Sequence, residues 1–125
     1  MHRLLYVEDD PINVQLFERI VLLTHGFSLD IARDGRTART MLQTGLPDLM
    51  FLDLHLPDES GLDLLRYVRG LAGGLDLPVY AVSASPMKQI EPEIRTVGFL
   101  DYLEKPLKAP LIMDILNNYN RSRQS

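Results

Sequence analysis

The chain has 125 residues, with 13 Lys and Arg against 17 Asp and Glu for a formal charge of −4, 46% apolar residues and no cysteine. The length fits one domain over 1–125, and the missing cysteine excludes disulfide scaffolds, Cys-zinc sites, iron–sulfur clusters and thiol catalysis. An acidic balance with no Lys/Arg-rich stretch argues against direct nucleic-acid binding, and no apolar run approaches the ~20 residues that membrane insertion needs.

Met1-His2-Arg3 leads straight into a strand-like run, so no signal peptide is expected and the reading is a cytoplasmic domain. Leu4–Val7 is the first predicted strand, continuously apolar as in a strand covered on both faces. Asp10-Pro11 then predicts a helix start, with Asp as cap and Pro in the first turn. Its inward stripe is read as Ile12, Leu16, Ile20 and Leu23, ending at Gly26. Leu29–Ala32 follows polar Ser28 and alternates, which suits an edge strand. A second helix is expected from Arg36 to Thr44, with Ala38, Met41 and Leu42 inward.

Leu49–Leu52 is again continuous, and a helix opens near Ser60 and Gly61 with Leu62, Leu65 and Val68 on one face. Val79–Val82 is the fourth strand. The fourth helix carries Ile90, Ile94 and Val97, and Pro92 makes it short, starting near Glu91, or kinked at its start. Phe99–Leu103 is the fifth strand, and Leu111, Ile112, Ile115, Leu116 and Tyr119 mark the last helix. The polar end, 119–125, is expected to fray, and His2 and His25 read as surface histidines without partners. Alternating strands and helices give an α/β fold with a parallel sheet covered on both faces.

Chemistry-bearing residues cluster at strand ends. Glu8 and Asp9 follow the first strand, Asp53 the third, Ser83 the fourth and Lys105 the fifth. Ligands in open α/β sheets bind outside the carboxyl ends of the strands, where strand order reverses. In the order 2-1-3-4-5, the first and third strands are neighbours and three carboxylates converge on one crevice. Close carboxylates repel unless a cation intervenes, and Mg2+ takes one or two carboxylates plus phosphate oxygens. A lysine and a serine on the far side suit contacts to a phosphoryl group, so the set reads as a phosphoryl-transfer site with Asp as nucleophile.

Val7-Glu8-Asp9-Asp10-Pro11-Ile12-Asn13, Leu52-Asp53-Leu54-His55-Leu56-Pro57 with Gly61, Ala81-Val82-Ser83-Ala84 and Asp101-Tyr102-Leu103-Glu104-Lys105-Pro106 together resemble the response-regulator receiver domain of two-component signalling (CheY-like). The resemblance spans nearly the whole chain. It implies a flavodoxin-like (βα)5 sandwich with a five-stranded parallel sheet in the order 2-1-3-4-5. It implies a signalling switch and not a metabolic enzyme: Asp53 accepts a phosphoryl group from the phosphohistidine of a histidine kinase or histidine phosphotransfer protein. Asp9 would bind Mg2+ directly and Glu8 largely through water, with Asp53 a further ligand and His55 supplying its backbone carbonyl. Lys105, ahead of a cis bond to Pro106, would contact Asp53 and then the phosphoryl group. Ser83 would swing toward the phosphoryl group and Tyr102 from an exposed to an inward rotamer. A downstream protein would then read the face of the fourth helix, fifth strand and fifth helix.

Some positions depart from the usual pattern. Ser83 stands where Thr is at least as usual and Glu8 where Asp is common. His55 is an unusual occupant two residues after Asp53, at the mouth of the site, and suggests an influence on phosphoryl lifetime. Leu107-Lys108-Ala109-Pro110-Leu111 lacks the Glu-Leu-x-Ala-Arg pattern of transcription factors that dimerise through this face. Asp10-Pro11-Ile12-Asn13 is similar to the run seen in hybrid kinases and phosphorelays. The alternative reading is a degenerate receiver acting by phosphorylation-independent contact, against which the intact acidic set argues. A haloacid-dehalogenase-type phosphatase needs a second Asp two residues after the first, where Pro11 or His55 stands. A flavodoxin needs a Ser/Thr-rich loop where this chain has acids.

Overall fold

The computed structural model describes residues 1–86 and 92–123. Strands β1 (His2–Val7), β2 (Phe27–Ala32), β3 (Leu49–Asp53), β4 (Val79–Ser83) and β5 (Asp101–Glu104) alternate with helices α1 (Pro11–Thr24), α2 (Gly35–Thr44), α3 (Gly61–Arg69), α4 (Pro92–Val97) and α5 (Ala109–Ser122). The five strands are parallel, in the order β2-β1-β3-β4-β5. This is the flavodoxin-like (βα)5 sheet read from the sequence, with β2 at an edge. No helix among the described residues is long and apolar enough to cross a membrane.

Tyr6, Phe17, Ile20, Phe51, Leu103, Ile112 and Leu116 pack with α1 and α5 on one side of the sheet. Val7, Ala38, Leu42, Leu52, Leu65 and Val68 pack with α2 and α3 on the other. Continuous burial of Leu49–Asp53 explains why that strand reads as an unbroken apolar run up to its charged end. Register sets the site: Val7 lies beside Leu52, Asp53 beside Val82, and Ser83 beside Glu104. The residues just past these pairs therefore emerge at one end of the sheet.

Several local expectations are corrected. Helix α1 starts as read, with Asp10 Oδ1 accepting from Ile12 N at 2.9 Å, but it buries Val14, Phe17, Ile20 and Val21. Ile12 and Leu23 are 75% and 67% exposed. The helix is apolar on two faces, and it buries the one carrying Phe17, whose ring meets Tyr6 at 4.3 Å and Phe51 at 5.0 Å. Helix α4 is short, with Pro92 as its first residue, where the missing N–H costs no helical bond. Ile90 and Glu91 lie outside the described residues. Strand β5 begins at Asp101 and not Phe99, after Gly98 takes a left-handed φ of 97°.

Residues 119–122, expected to fray, are helical in this structure. Helix α5 runs through Ser122, the His2 ring meets Tyr119 edge-on at 5.0 Å, and Asn120 Nδ2 donates to the His25 carbonyl at 3.3 Å. The His2 ring thus has an aromatic partner, whereas His25 is a surface histidine, as read, that takes part through its backbone carbonyl; the two contacts hold the polar end of the helix.

Two charged residues clamp loops. Asp58 accepts from the N–H groups of Gly35 (2.8 Å) and Arg36 (3.0 Å), tying the β3–α3 loop to the start of α2. Arg69 donates to the carbonyls of Gly74 and Leu77, both at 2.7 Å, and of Gly98 at 2.9 Å, joining the end of α3 to two loops beneath the sheet.

Candidate functional site

Among the described residues, the buried polar and charged ones are Glu8, Asp53 and Ser83, and all three sit at or just past strand ends. Glu8 leaves β1 with its N–H still donating to Ala32 O at 2.9 Å, so its side chain stays on the sheet's crest. The Leu54 N–H likewise donates to Val82 O at 2.9 Å, which fixes the exit from β3. Gly61 then closes the loop behind Asp53. Its N–H donates to Leu54 O at 2.9 Å, and a Cβ there would lie 2.5 Å from Leu54 Cα, so only glycine fits.

These exits bring the acids together. Ligand-capable atoms of Glu8, Asp9 and Asp53 all lie within 4.8 Å of one another, with Asp9 exposed and the other two buried. Lys105 Nζ reaches in from β5, 2.8 Å from Glu8 Oε1 and 2.9 Å from Asp53 Oδ2. Its backbone N–H donates to Ser83 O at 2.8 Å, and the Lys105–Pro106 bond is cis. Asp53 Oδ1 accepts from the His55 N–H at 2.9 Å, while the His55 side chain is exposed at the rim.

Burial pushes the Glu8 carboxyl above the usual range and neighbouring Asp53 adds to it, against the opposing pull of Lys105 and Tyr6. Lys105 is also raised: burial alone would lower it, but the two carboxylates together outweigh that. The ammonium is therefore firmly charged. A hard, all-oxygen donor set of three carboxylates fits a divalent cation such as Mg2+.

Ser83 ends the neighbouring strand β4, its Oγ accepting from the Ser85 N–H at 3.1 Å. The Tyr102 hydroxyl donates to the Ser85 carbonyl, and Tyr102 packs with Leu54, Ala81 and Ile94. Tyr102 is thus buried, and Ser85 meets both it and Ser83.

Sequence reasoning missed Ser85 and Tyr6. The Tyr6 hydroxyl, buried in the core, donates to Glu8 Oε1 at 2.8 Å. Burial, followed by the nearby Glu8 charge, drives its pKa far above the usual range. The available signal was the two-residue spacing, which places both side chains on the same face of β1.

The model of the response regulator receiver domain matches residues 4–117. The chain belongs to that family. A relative described as the polar-differentiation response regulator DivK of Brucella anthropi is 32% identical over 113 residues, covering 90% of this chain and 91% of its own. The CheY-like receiver domain of Methylobacillus flagellatus is 31% identical, with a TM-score of 0.80 and coverage of 94% and 98%. The receiver domain of a sensor histidine kinase from Pseudomonas aeruginosa PAO1 is 26% identical, with a TM-score of 0.83 and coverage of 94% and 96%. That structure holds a magnesium ion coordinated in its active-site cleft. This receiver is a signalling module of two-component systems, a class of phosphoryl-accepting switches.

Proposed function

We propose that this receiver takes a phosphoryl group from the phosphohistidine of a histidine kinase or histidine phosphotransfer protein onto Asp53. An Asp53 carboxylate oxygen forms the new bond to phosphorus, the phosphorus–nitrogen bond breaks, and its electron pair returns to the donor imidazole. The supporting observation is the meeting of Glu8, Asp9 and Asp53 opposite the Lys105 ammonium. Asp9, Asp53 and the His55 backbone carbonyl would hold Mg2+, with Glu8 acting largely through water, and the ion would offset the charge of the carboxylates and the incoming phosphoryl oxygens. The His55 N–H orients Asp53, and Lys105 exchanges its carboxylate partner for a phosphoryl oxygen. The exposed His55 side chain, two residues after Asp53, is assigned an influence on phosphoryl lifetime, so His55→Ala should alter the dephosphorylation rate between pH 6 and 8, and an unchanged rate opposes that role.

The switch runs through Ser83. Turning its Oγ toward the phosphoryl group gives up the Ser85 N–H, and Ser85 also holds the Tyr102 hydroxyl. The face of α4, β5 and α5 then changes its preferred arrangement and its partner affinity. Moving such an equilibrium from mostly off to mostly on takes ~5.5 kcal/mol. One hydroxyl contact supplies ~1–3 kcal/mol, so a downstream protein preferring the active face contributes the rest. The module acts in the cytoplasm, and its charge of −4 with no basic stretch argues against direct contact with nucleic acid.

Incubation with acetyl phosphate and Mg2+, followed by intact-mass measurement, tests this reading. Addition of one phosphoryl group to the wild type but not to Asp53→Asn supports it; an unmodified wild type, or a modified Asp53→Asn, opposes it.

A further inference from the structure

The Glu8 carboxylate is 0% exposed, yet it is held by donors from three directions. Lys105 Nζ and the Tyr6 hydroxyl both lie 2.8 Å from Oε1, and the Asp10 N–H lies 3.3 Å from Oε2. Their origins differ. Lys105 comes from β5 and is shared with Asp53, so its hold on Glu8 depends on what occupies the crevice. Tyr6 comes from the same strand as Glu8, and its ring is locked in the α1–α5 core against Phe17. A phenylalanine would fill that core equally well without bringing a polar atom into it. The hydroxyl is accounted for by the carboxylate above it.

We infer that Tyr6 is a positioning residue for cation binding: its hydroxyl holds the Glu8 carboxylate in one orientation beside Asp9 and Asp53, independently of Lys105. Glutamate carries one more rotatable bond than aspartate, and a fixed donor at its tip removes that freedom. Carboxylates that hold metals depend in this way on the groups that hydrogen-bond them. The inference rests on the proposed Mg2+ role of the acidic cluster and adds a residue to it.

Calorimetric titration of Mg2+ into the intact chain tests it, using wild type, Tyr6→Phe, Glu8→Asp and the double variant. Tyr6→Phe is expected to weaken Mg2+ binding about tenfold when Glu8 is present. In the Glu8→Asp background, where the shorter carboxylate falls away from the hydroxyl, the same change is expected to matter by under about twofold. Equal Mg2+ affinity of wild type and Tyr6→Phe overturns the inference. So does an equal loss in both backgrounds, which assigns the effect to core packing. Either failure leaves wild-type binding intact; a wild type that takes up no Mg2+ overturns both this inference and the reading beneath it.

Discussion

The Lys105 ammonium lies 2.9 Å from Asp53 Oδ2, although the two residues come from strands separated by β4. The same ammonium meets Glu8, so one cation holds two buried carboxylates together. Lys105→Met leaves those charges facing each other. It is expected to cost about 3–5 kcal/mol in urea unfolding without added metal. Added Mg2+ should restore more stability to the variant than to wild type, because it supplies the missing positive charge. Equal gains in both would separate the ammonium from the cation site.

Asp58 gives a pH dependence with a definite sign. The Gly35 N–H, then the Arg36 N–H, hold its carboxyl below the usual Asp value. A depressed folded-state pKa contributes stability that is complete above the ordinary Asp value and disappears as pH falls through the lower, folded one. Asp58→Asn should therefore lower the neutral-pH melting temperature, with a smaller loss in strong acid. A difference from wild type that stays constant from neutral pH into strong acid would contradict this.

Arg69 serves three carbonyls that a lysine cannot reach together. Arg69→Met is expected to cost ~1.5–3 kcal/mol, and Arg69→Lys should recover little of it. Full recovery by lysine would show that charge alone matters.

Helix α1 offers a direct contrast between its two apolar faces. Phe17→Ala should cost about 3–5 kcal/mol by opening a cavity between Tyr6 and Phe51. Ile12→Ala, at an exposed position, should cost under about 0.5 kcal/mol. Comparable losses would mean that the helix is rotated from the orientation described.

That contrast also shows where sequence reading stops. Five strands were legible because their apolar runs are short, separated by helical spacing and followed by charged residues. The charged cluster was legible for the same reason: Asp9, Asp53 and Lys105 lie at or just past the carboxyl ends of their strands. The rotation of α1 was only partly legible: Leu16 and Ile20 face the core as read, but Ile12 and Leu23 are exposed and Val14, Phe17 and Val21 take the buried places. The Tyr6–Phe17–Phe51 packing sets that rotation. Asp58 and Arg69 carry no motif in the sequence, since their partners are backbone groups that only the folded loops bring to them. The end of α5 read as polar coil because the contacts of Tyr119 and Asn120 come from His2 and His25, at the other end of the chain's fold.

The central claim is that Asp53 carries the phosphoryl group. The most direct measurement is borohydride reduction of the acetyl-phosphate-treated chain, which converts an acyl phosphate on aspartate to homoserine, followed by peptide sequencing. The expected result is homoserine at position 53, dependent on Mg2+. Homoserine at another aspartate, with position 53 unchanged, would contradict the claim.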